Sequence, residues 1–284
     1  MTEPLADYAT RPVADDLRPW VTSLWYAKAP RVQRYEKILP MPIVHLIVNL
    51  AEPYQLLTRE GESVPQTFRR GFVSGLLTRY LVIENPLLIR NVGAEFSPYG
   101  IAAFTSMPVA QLTDTVRESK EVLLGSESLR ERASATDSAA DAMAVLEDYL
   151  RSVLRPDFTT GDRAIAACEL ISANPGIAIA EVAEQCGMSH KSLIAHFRRH
   201  CGVTPKVFAN LCRFHQFLTN LPLGGEMPRW SDLVAETNFY DQAHFVRAFR
   251  SYTGFSPSEY LDAIRRFGPE YPSFVPMDYP GVRG

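Results

Sequence analysis

The sequence predicts an α+β protein of two domains. The first is a small β-barrel with helices after it, and the second is an all-α domain of two helix-turn-helix units joined by a long helix. Three observations predict this. Short β-branched and aromatic runs fill the first third of the chain, helical periodicity takes over from Tyr99, and a motif around Phe197-Arg198 recurs 52 residues later at Phe249-Arg250.

The β part comes first. Residues 20–26, 43–50, 54–58, 72–77, 80–84 and 87–96 are rich in strand-forming side chains, and turn residues such as Arg59-Glu60-Gly61-Glu62 and Glu84-Asn85-Pro86 break them. Strands this short and this closely spaced suit a small barrel or sandwich of the cupin-like kind. The helical extension follows. Residues 139–154 put Met143, Leu146, Leu150, Val153 and Leu154 on one face behind the cap candidates Asp137 and Ser138, and Arg155-Pro156-Asp157 stops the helix. That face can pack on its own barrel or serve as a subunit contact. The chain divides into a β-rich ligand-sensing or dimerisation domain (1–105), a helical extension and linker (106–157), the second domain (158–267) and a Pro-rich tail (268–284).

In the second domain Thr159 and Thr160 are cap candidates for a helix that Asn174-Pro175-Gly176 ends. Ile179, Val182, Ala183 and Cys186 line one face of the next short helix. Gly187 sits where the turn needs a positive φ, and Ser189 can cap the helix after it. Leu193 and Phe197 anchor that helix, so His190, Lys191 and Ile194 point away from the core. Thr204-Pro205 is a cap followed by a first-turn proline. The helix it opens carries Phe208, Leu211, Cys212, His215 and Leu218 on one face; at ~1.5 Å per residue it spans about 22 Å. The second unit repeats the plan: Ser231 as cap, Leu233 and Val234 inward, Asn238 at the turn, Asp241 as cap, Phe245 and Phe249 as anchors. Trp230 and Tyr260 read as core. His244 reads as a packed, hydrogen-bonded side chain or a backbone contact. Pro269, Pro272, Pro276 and Pro280 keep the tail out of any helix.

Composition narrows the function. The chain has 284 residues, 46% hydrophobic and 21% charged, which excludes a disordered tail, a collagen and a disulfide mini-scaffold. No apolar run reaches the ~18 residues that cross a bilayer. Met1-Thr2-Glu3-Pro4 does not open a secretion signal, so a soluble cytoplasmic protein without a membrane partner is expected. The net charge is only −3, yet from Gln185 to Gly225 there is no carboxylate, while Lys191, Arg198, Arg199, Lys206 and Arg213 stand there with four of the six histidines. Such a stretch suits a polyanion. Cys168, Cys186, Cys201 and Cys212 form no Cys-x-x-Cys pair and read as buried apolar residues. Only His45 precedes residue 190, so a three-histidine metal site in the first domain is excluded; no metal and no cofactor is expected.

Asp241-Gln242-Ala243-His244-Phe245-Val246-Arg247-Ala248-Phe249-Arg250, followed by Gly254-Phe255-Ser256-Pro257, is the firmest part of a resemblance spanning residues 161–267. The sequence resembles the AraC/XylS family of bacterial transcription regulators. Residues 1–155, with Asn91-Val92-Gly93-Ala94-Glu95-Phe96-Ser97-Pro98-Tyr99-Gly100, resemble the family's β-rich amino-terminal domains. The resemblance implies sequence-specific binding of double-stranded DNA, a small-molecule effector or dimerisation through the first domain, and RNA polymerase as a partner if the protein activates. Base contacts then fall to His190, Lys191, Ile194 and Ala195 in the first reading helix, and to Gln242, Ala243, Val246 and Arg247 in the second. Gln can address adenine and Arg guanine, and Ile194 and Ala195 can touch thymine methyls. The family often has arginine where Ala195 stands. Phosphate contacts fall to Ser189, Arg198, Arg199, Lys206 and Arg250. Trp20, Trp25, Tyr35, His45 and Phe72 are candidates for a ligand pocket, with core packing the competing role. Two other classes stand beside this reading: a β-barrel enzyme with a helical regulatory appendage, and an interaction module that has lost DNA binding.

Overall fold

Alternation of burial along the strands sets the architecture. In the computed structural model, which describes residues 7–57, 65–156, 158, 161–221, 242–267 and 273–278, the strands are β1 (Asp7–Arg11), β2 (Val21–Pro30), β3 (Tyr35–Ile38), β4 (Val44–Asn49), β5 (Tyr54–Leu57), β6 (Gln66–Phe68), β7 (Gly71–Ser74), β8 (Leu81–Glu84), β9 (Leu88–Phe96), β10 (Val116–Glu118) and β11 (Phe274–Met277). Two sheets result, in the orders β1-β2-β9-β4-β7-β10 and β11-β3-β8-β5-β6, with every pairing antiparallel. They do not close into the expected barrel. The physical reason lies in what covers the first sheet. Val44, Leu46 and Val48 of β4 are buried on one face, and there β2 and β9 meet a helix of the extension rather than more strand.

The extension runs through 3₁₀ turns at Gly100–Ala103 and Val109–Gln111, then α1 (Ser119–Val122), α2 (Leu129–Ser134) and α3 (Ala139–Val153). Ser138 caps α3 by accepting the Asp141 amide at 3.1 Å. The buried face of α3, Ala142, Met143, Leu146, Tyr149 and Leu150, lies against β2 and β9. Of the two expected roles of this face, packing on its own domain is the one observed. Val153 and Leu154, expected on the same face, are only half-buried.

Among the described residues the helical domain contains α4 (Asp162–Ala173), α5 (Ile179–Gln185), α6 (His190–His200), α7 (Pro205–Thr219), α8 (Gln242–Thr253) and α9 (Pro257–Phe267). Gly161, at φ +78°, occupies the N-cap position of α4, without a side-chain cap; the expected caps Thr159 and Thr160 lie outside the described residues, as do Trp230, Ser231, Leu233, Val234, Asn238 and Asp241. Thr204 caps α7 by accepting the Val207 amide at 3.3 Å, with Pro205 in its first turn. Ser256 and Glu259 cap α9 reciprocally, each side chain accepting the other's backbone amide. The tail does not run free. Val275 is fully buried, and β11 forms the edge of the second sheet beside β3, where Pro276 is tolerated as an edge residue.

Two cores hold the molecule. The larger joins the first sheet and the extension to α4, α5, α6 and the first half of α7, ending at Phe208, Leu211 and Cys212. The smaller gathers Phe214, Phe217 and Leu218 of the same helix with Phe245, Phe249, Tyr260 and Ile264, and it includes Leu39 and Val275 from the β domain. Further contacts cross between the domains: the Thr113 hydroxyl donates to the Gly202 carbonyl at 3.1 Å, and the Lys37 ammonium donates to the Thr253 carbonyl at 3.2 Å while facing the rings of Tyr80 and Phe255.

Phe208 is fully buried and touches the Phe197 ring at 5.8 Å. Replacing it with alanine leaves a cavity between α6 and α7, and we expect Phe208→Ala to cost ~3–5 kcal/mol in urea unfolding. A change below about 1 kcal/mol would show that the joint between α6 and α7 does not depend on this ring.

Candidate nucleic-acid interface

A helix-turn-helix needs one face of its second helix buried and the opposite face free. In the first unit, Leu193 and Phe197 are 0% and 1% exposed, while His190, Lys191 and Ala195 are exposed and Ile194 is half-buried. The turn before α6 is built as the sequence predicts. Gly187 takes φ +61°, a region that costs glycine nothing and costs other residues strain. Ser189 accepts the Ser192 amide at 3.1 Å, so this phosphate candidate is also the helix cap. Arg163, which sequence reasoning passed over, pins the turn from α4 by donating to the Gly187 carbonyl at 3.0 Å.

The cations of the acid-free stretch separate by role. Lys206 is exposed on the first turn of α7, and Arg198 and Arg199 are exposed on the last turn of α6. Arg213 instead serves the fold: it donates to the Pro175 carbonyl at 2.9 Å and to the Asn210 side chain at 3.3 Å, tying α7 to the turn after α4. His200, beside the two arginines, is buried against the Phe158 ring and stacks on His196. Burial, helped by the charges of Arg199 and His196, lowers its pKa to about 4. The four cysteines are all reduced and buried. Burial and neighbouring groups push the thiols of Cys168, Cys186 and Cys212 up, away from reactive thiolate.

In the second unit α8 buries Phe245 and Phe249, each 1% exposed, and presents Arg247 and Arg250 to solvent, with Val246 half-buried. Gln242 and Ala243 form the first turn of this helix; their side chains, like that of His244, lie outside what the structure describes.

The ligand-pocket candidates do not share one place. Trp25, Gly93, Ile47 and Phe72 stand directly opposite one another across four strands of the first sheet. The next row is Ser23, Glu95, His45 and Ser74. This face looks toward the second sheet. Phe72 meets the Tyr54 ring at 5.9 Å, and the Asn91 amide donates to the Tyr54 hydroxyl at 2.8 Å. Gly93 is required here, because a Cβ on it would fall 2.3 Å from the Trp25 ring. Trp20 and Tyr35 are placed elsewhere. Trp20 packs on Tyr99 and Phe158, next to the helical domain, and Tyr35 shares the opposite face of β3 with Lys37, by the two-residue period of a strand.

Between the sheets lie ionisable groups of which sequence reasoning singled out only His45 as a site residue. Ser23 donates to Glu95 at 2.8 Å. Burial lowers the pKa of His45, with Glu95 acting in the other direction, and the His45 Nε2 is buried with no hydrogen-bond partner among the described residues. Burial raises the carboxyl pKa of Glu36. His215 of α7 responds as His45 does: burial depresses it and Glu95 opposes. Lys37, on the other side of β3, is lowered to about 8 by burial. Strand register brings Ser23, Glu95 and His45 together, and no local pattern marks Glu95, Glu36 or His215 as site residues. Among the described residues no cluster of histidine, cysteine and carboxylates is arranged to hold a metal, and no helix is long and apolar enough to cross a membrane.

Residues 182–263 match the family model described as a helix-turn-helix domain, and residues 10–118 match one described as a domain of unknown function, DUF6597. No curated protein matches the chain significantly. Among solved structures, a 1.65 Å structure of ToxT from Vibrio cholerae is 10% identical, with 90% of this chain and 98% of that one covered and a TM-score of 0.46. Wild-type ToxT from Vibrio cholerae strain SCE256 with an unsaturated fatty acid bound is 10% identical over 92% and 97%, with a TM-score of 0.45. The AraC-like transcriptional activator CuxR is 11% identical over 78% and 88%, with a TM-score of 0.26.

The buried His200 gives a pH test. Its imidazole titrates near 6.5 when unfolded and at about 4 when folded, so the unfolded chain binds the proton first as pH falls. Stability is lost as pH drops from 6.5 towards 4. His200→Gln should flatten that part of the acid slope in urea melts between pH 7 and 4.5. An unchanged slope would show that other groups set the acid limit.

Proposed function

We propose, from the premise that the chain is a sequence-specific DNA-binding transcription regulator of the AraC type with its helix-turn-helix domain at residues 182–263, that α6 and α8 read bases in successive major grooves of one asymmetric site. The observation that carries this is the burial pattern of the two helices. Each sinks its anchors, Leu193 and Phe197 on α6 and Phe245 and Phe249 on α8, and turns the other face outward, with His190, Lys191, Ala195 and Arg247 exposed and Ile194 and Val246 half-buried. Gln242 and Ala243, in the first turn of α8, complete the base-reading set. Ser189, Arg198, Arg199, Lys206 and Arg250 neutralise phosphates, which fixes register and supplies affinity, while base edges supply specificity. The protein acts on chromosomal DNA in the bacterial cytoplasm, and its role is regulatory rather than enzymatic.

The first domain modulates this activity. The face between the sheets supports a small-molecule effector there, because it combines aromatic surface (Trp25, Phe72) with polar groups aimed inward (His45, Glu95, Asn91). A homodimer is the other route to control, and RNA polymerase is the further partner of an activator.

Two measurements test the DNA reading. On a site selected from random DNA, Arg247→Ala should cost ~1–3 kcal/mol and relax preference at one base pair; equal affinity with unchanged preference removes Arg247 from readout. Wild-type affinity should fall steeply with salt, with a logarithmic slope of about −0.9 per phosphate contacted. Lys206→Gln should reduce that slope by about one and weaken all sequences alike. A flat salt dependence would favour a domain that binds protein instead.

A further inference from the structure

A cavity lies apart from the space between the sheets. It has a volume of about 450 Å³ and sits where the extension meets the end of α6. Arg155, Arg198 and Arg199 line it, and no Asp or Glu is among the described lining residues. Arg155 is held in place: its guanidinium donates to the Thr105 carbonyl at 3.0 Å, its amide to the Ala103 carbonyl at 2.9 Å, and it packs over the Phe158 ring at 5.5 Å. Arg198 and Arg199 make no hydrogen bond or ion pair among the described residues. Met107, Val109 and Phe158 add apolar wall to the same cavity.

Three guanidiniums line one cavity with no carboxylate among the described lining residues, so an anion placed there meets cations and no like charge. Guanidinium is also the group best shaped to hold a carboxylate or phosphate through two parallel hydrogen bonds. A bare inorganic anion would leave the apolar wall wet. A DNA backbone follows the convex surface of a reading helix and does not fill a cavity walled by methionine, valine and phenylalanine. The volume falls within the range of sites for small organic ligands.

We propose that this cavity is a binding site for a small amphipathic anion, a carboxylate or phosphate head with an apolar body, and that its occupant takes Arg198 and Arg199 away from DNA. The head sits among Arg155, Arg198 and Arg199, and the body covers Met107 and Phe158. Two of its three cations belong to the reading helix and the third to the sensor half of the chain, so occupancy clamps α6 to the extension. The effect on DNA rests on the assignment of Arg198 and Arg199 as phosphate contacts; the binding of the anion does not.

The test uses the full chain without DNA and four probes in calorimetry: octyl phosphate, octanoate, octanol and inorganic phosphate. Octyl phosphate or octanoate should bind at least tenfold more tightly than octanol and inorganic phosphate, and the tighter of the two identifies the head group. The double variant Arg155→Gln/Arg198→Gln should lose at least tenfold in affinity, while Arg265→Gln on α9 should lose none. If the double variant does not fold, Arg199→Gln alone should still weaken binding severalfold. Octanol binding as tightly as octanoate, inorganic phosphate as tightly as octyl phosphate, or variants binding as wild type would each overturn the site. On DNA, saturating octyl phosphate should weaken affinity at least fivefold. Anion binding with unchanged DNA affinity would overturn the coupling, and anion binding by a chain with no affinity for any DNA would overturn the DNA reading while leaving the site standing.

Discussion

The helix Pro205–Thr219 is divided between two hydrophobic cores, and most of the molecule depends on that division. Its first half, Phe208, Leu211 and Cys212, completes the core that holds the first reading helix. Its second half, Phe214, Phe217 and Leu218, completes the core that holds the second. A helix of fifteen residues is too short to be stable alone in water, so each core stabilises the rod on which the other is mounted. The spacing of the two reading helices is therefore fixed by side-chain packing and not by a linker.

The same packing joins the domains. The larger core runs without interruption from the first β-sheet into α4, α5 and α6, and the smaller draws Leu39 and Val275 from the β domain to the second helix-turn-helix unit. Lys37 crosses the second junction with its ammonium held between the Thr253 carbonyl and two aromatic rings. Burying an amine in this way disfavours its charged form, which is why its pKa falls to about 8. A change of state on one side of either junction meets close-packed side chains on the other, and close-packed interfaces transmit displacement.

Much of the helical domain was legible because its signals are local. A glycine at a positive φ, a serine cap and two anchors four residues apart all lie within the turn they build, and Gly187, Ser189, Leu193 and Phe197 stand as those rules require. The aromatic strands were legible for the same reason, although the short strands Tyr35–Ile38, Gln66–Phe68 and Val116–Glu118 were not, having too few residues for a period to show. Of the pocket candidates, Trp25, His45 and Phe72 share one sheet face and Trp20 and Tyr35 do not, because which residues face one another follows from strand register. Glu95, His215 and Arg155 stand in segments read for strand, helix face and helix stop, but nothing local marks them as site residues.

The sequence by itself determined the caps Ser189 and Thr204, the anchors Leu193, Phe197, Phe245 and Phe249, and the acid-free stretch that suits DNA, since each of these is written within a few turns of chain. Only the tertiary structure decided that the strands form two sheets instead of a closed barrel, that Arg213 braces the fold while Arg198 and Arg199 stay free, and that the proline-rich end returns as β11 beside β3. Those outcomes depend on contacts between residues tens to hundreds of positions apart, as in the pairing of Val275 with Lys37. Loop closure over such distances is decided by the packing free energy of the whole chain, which no local pattern encodes.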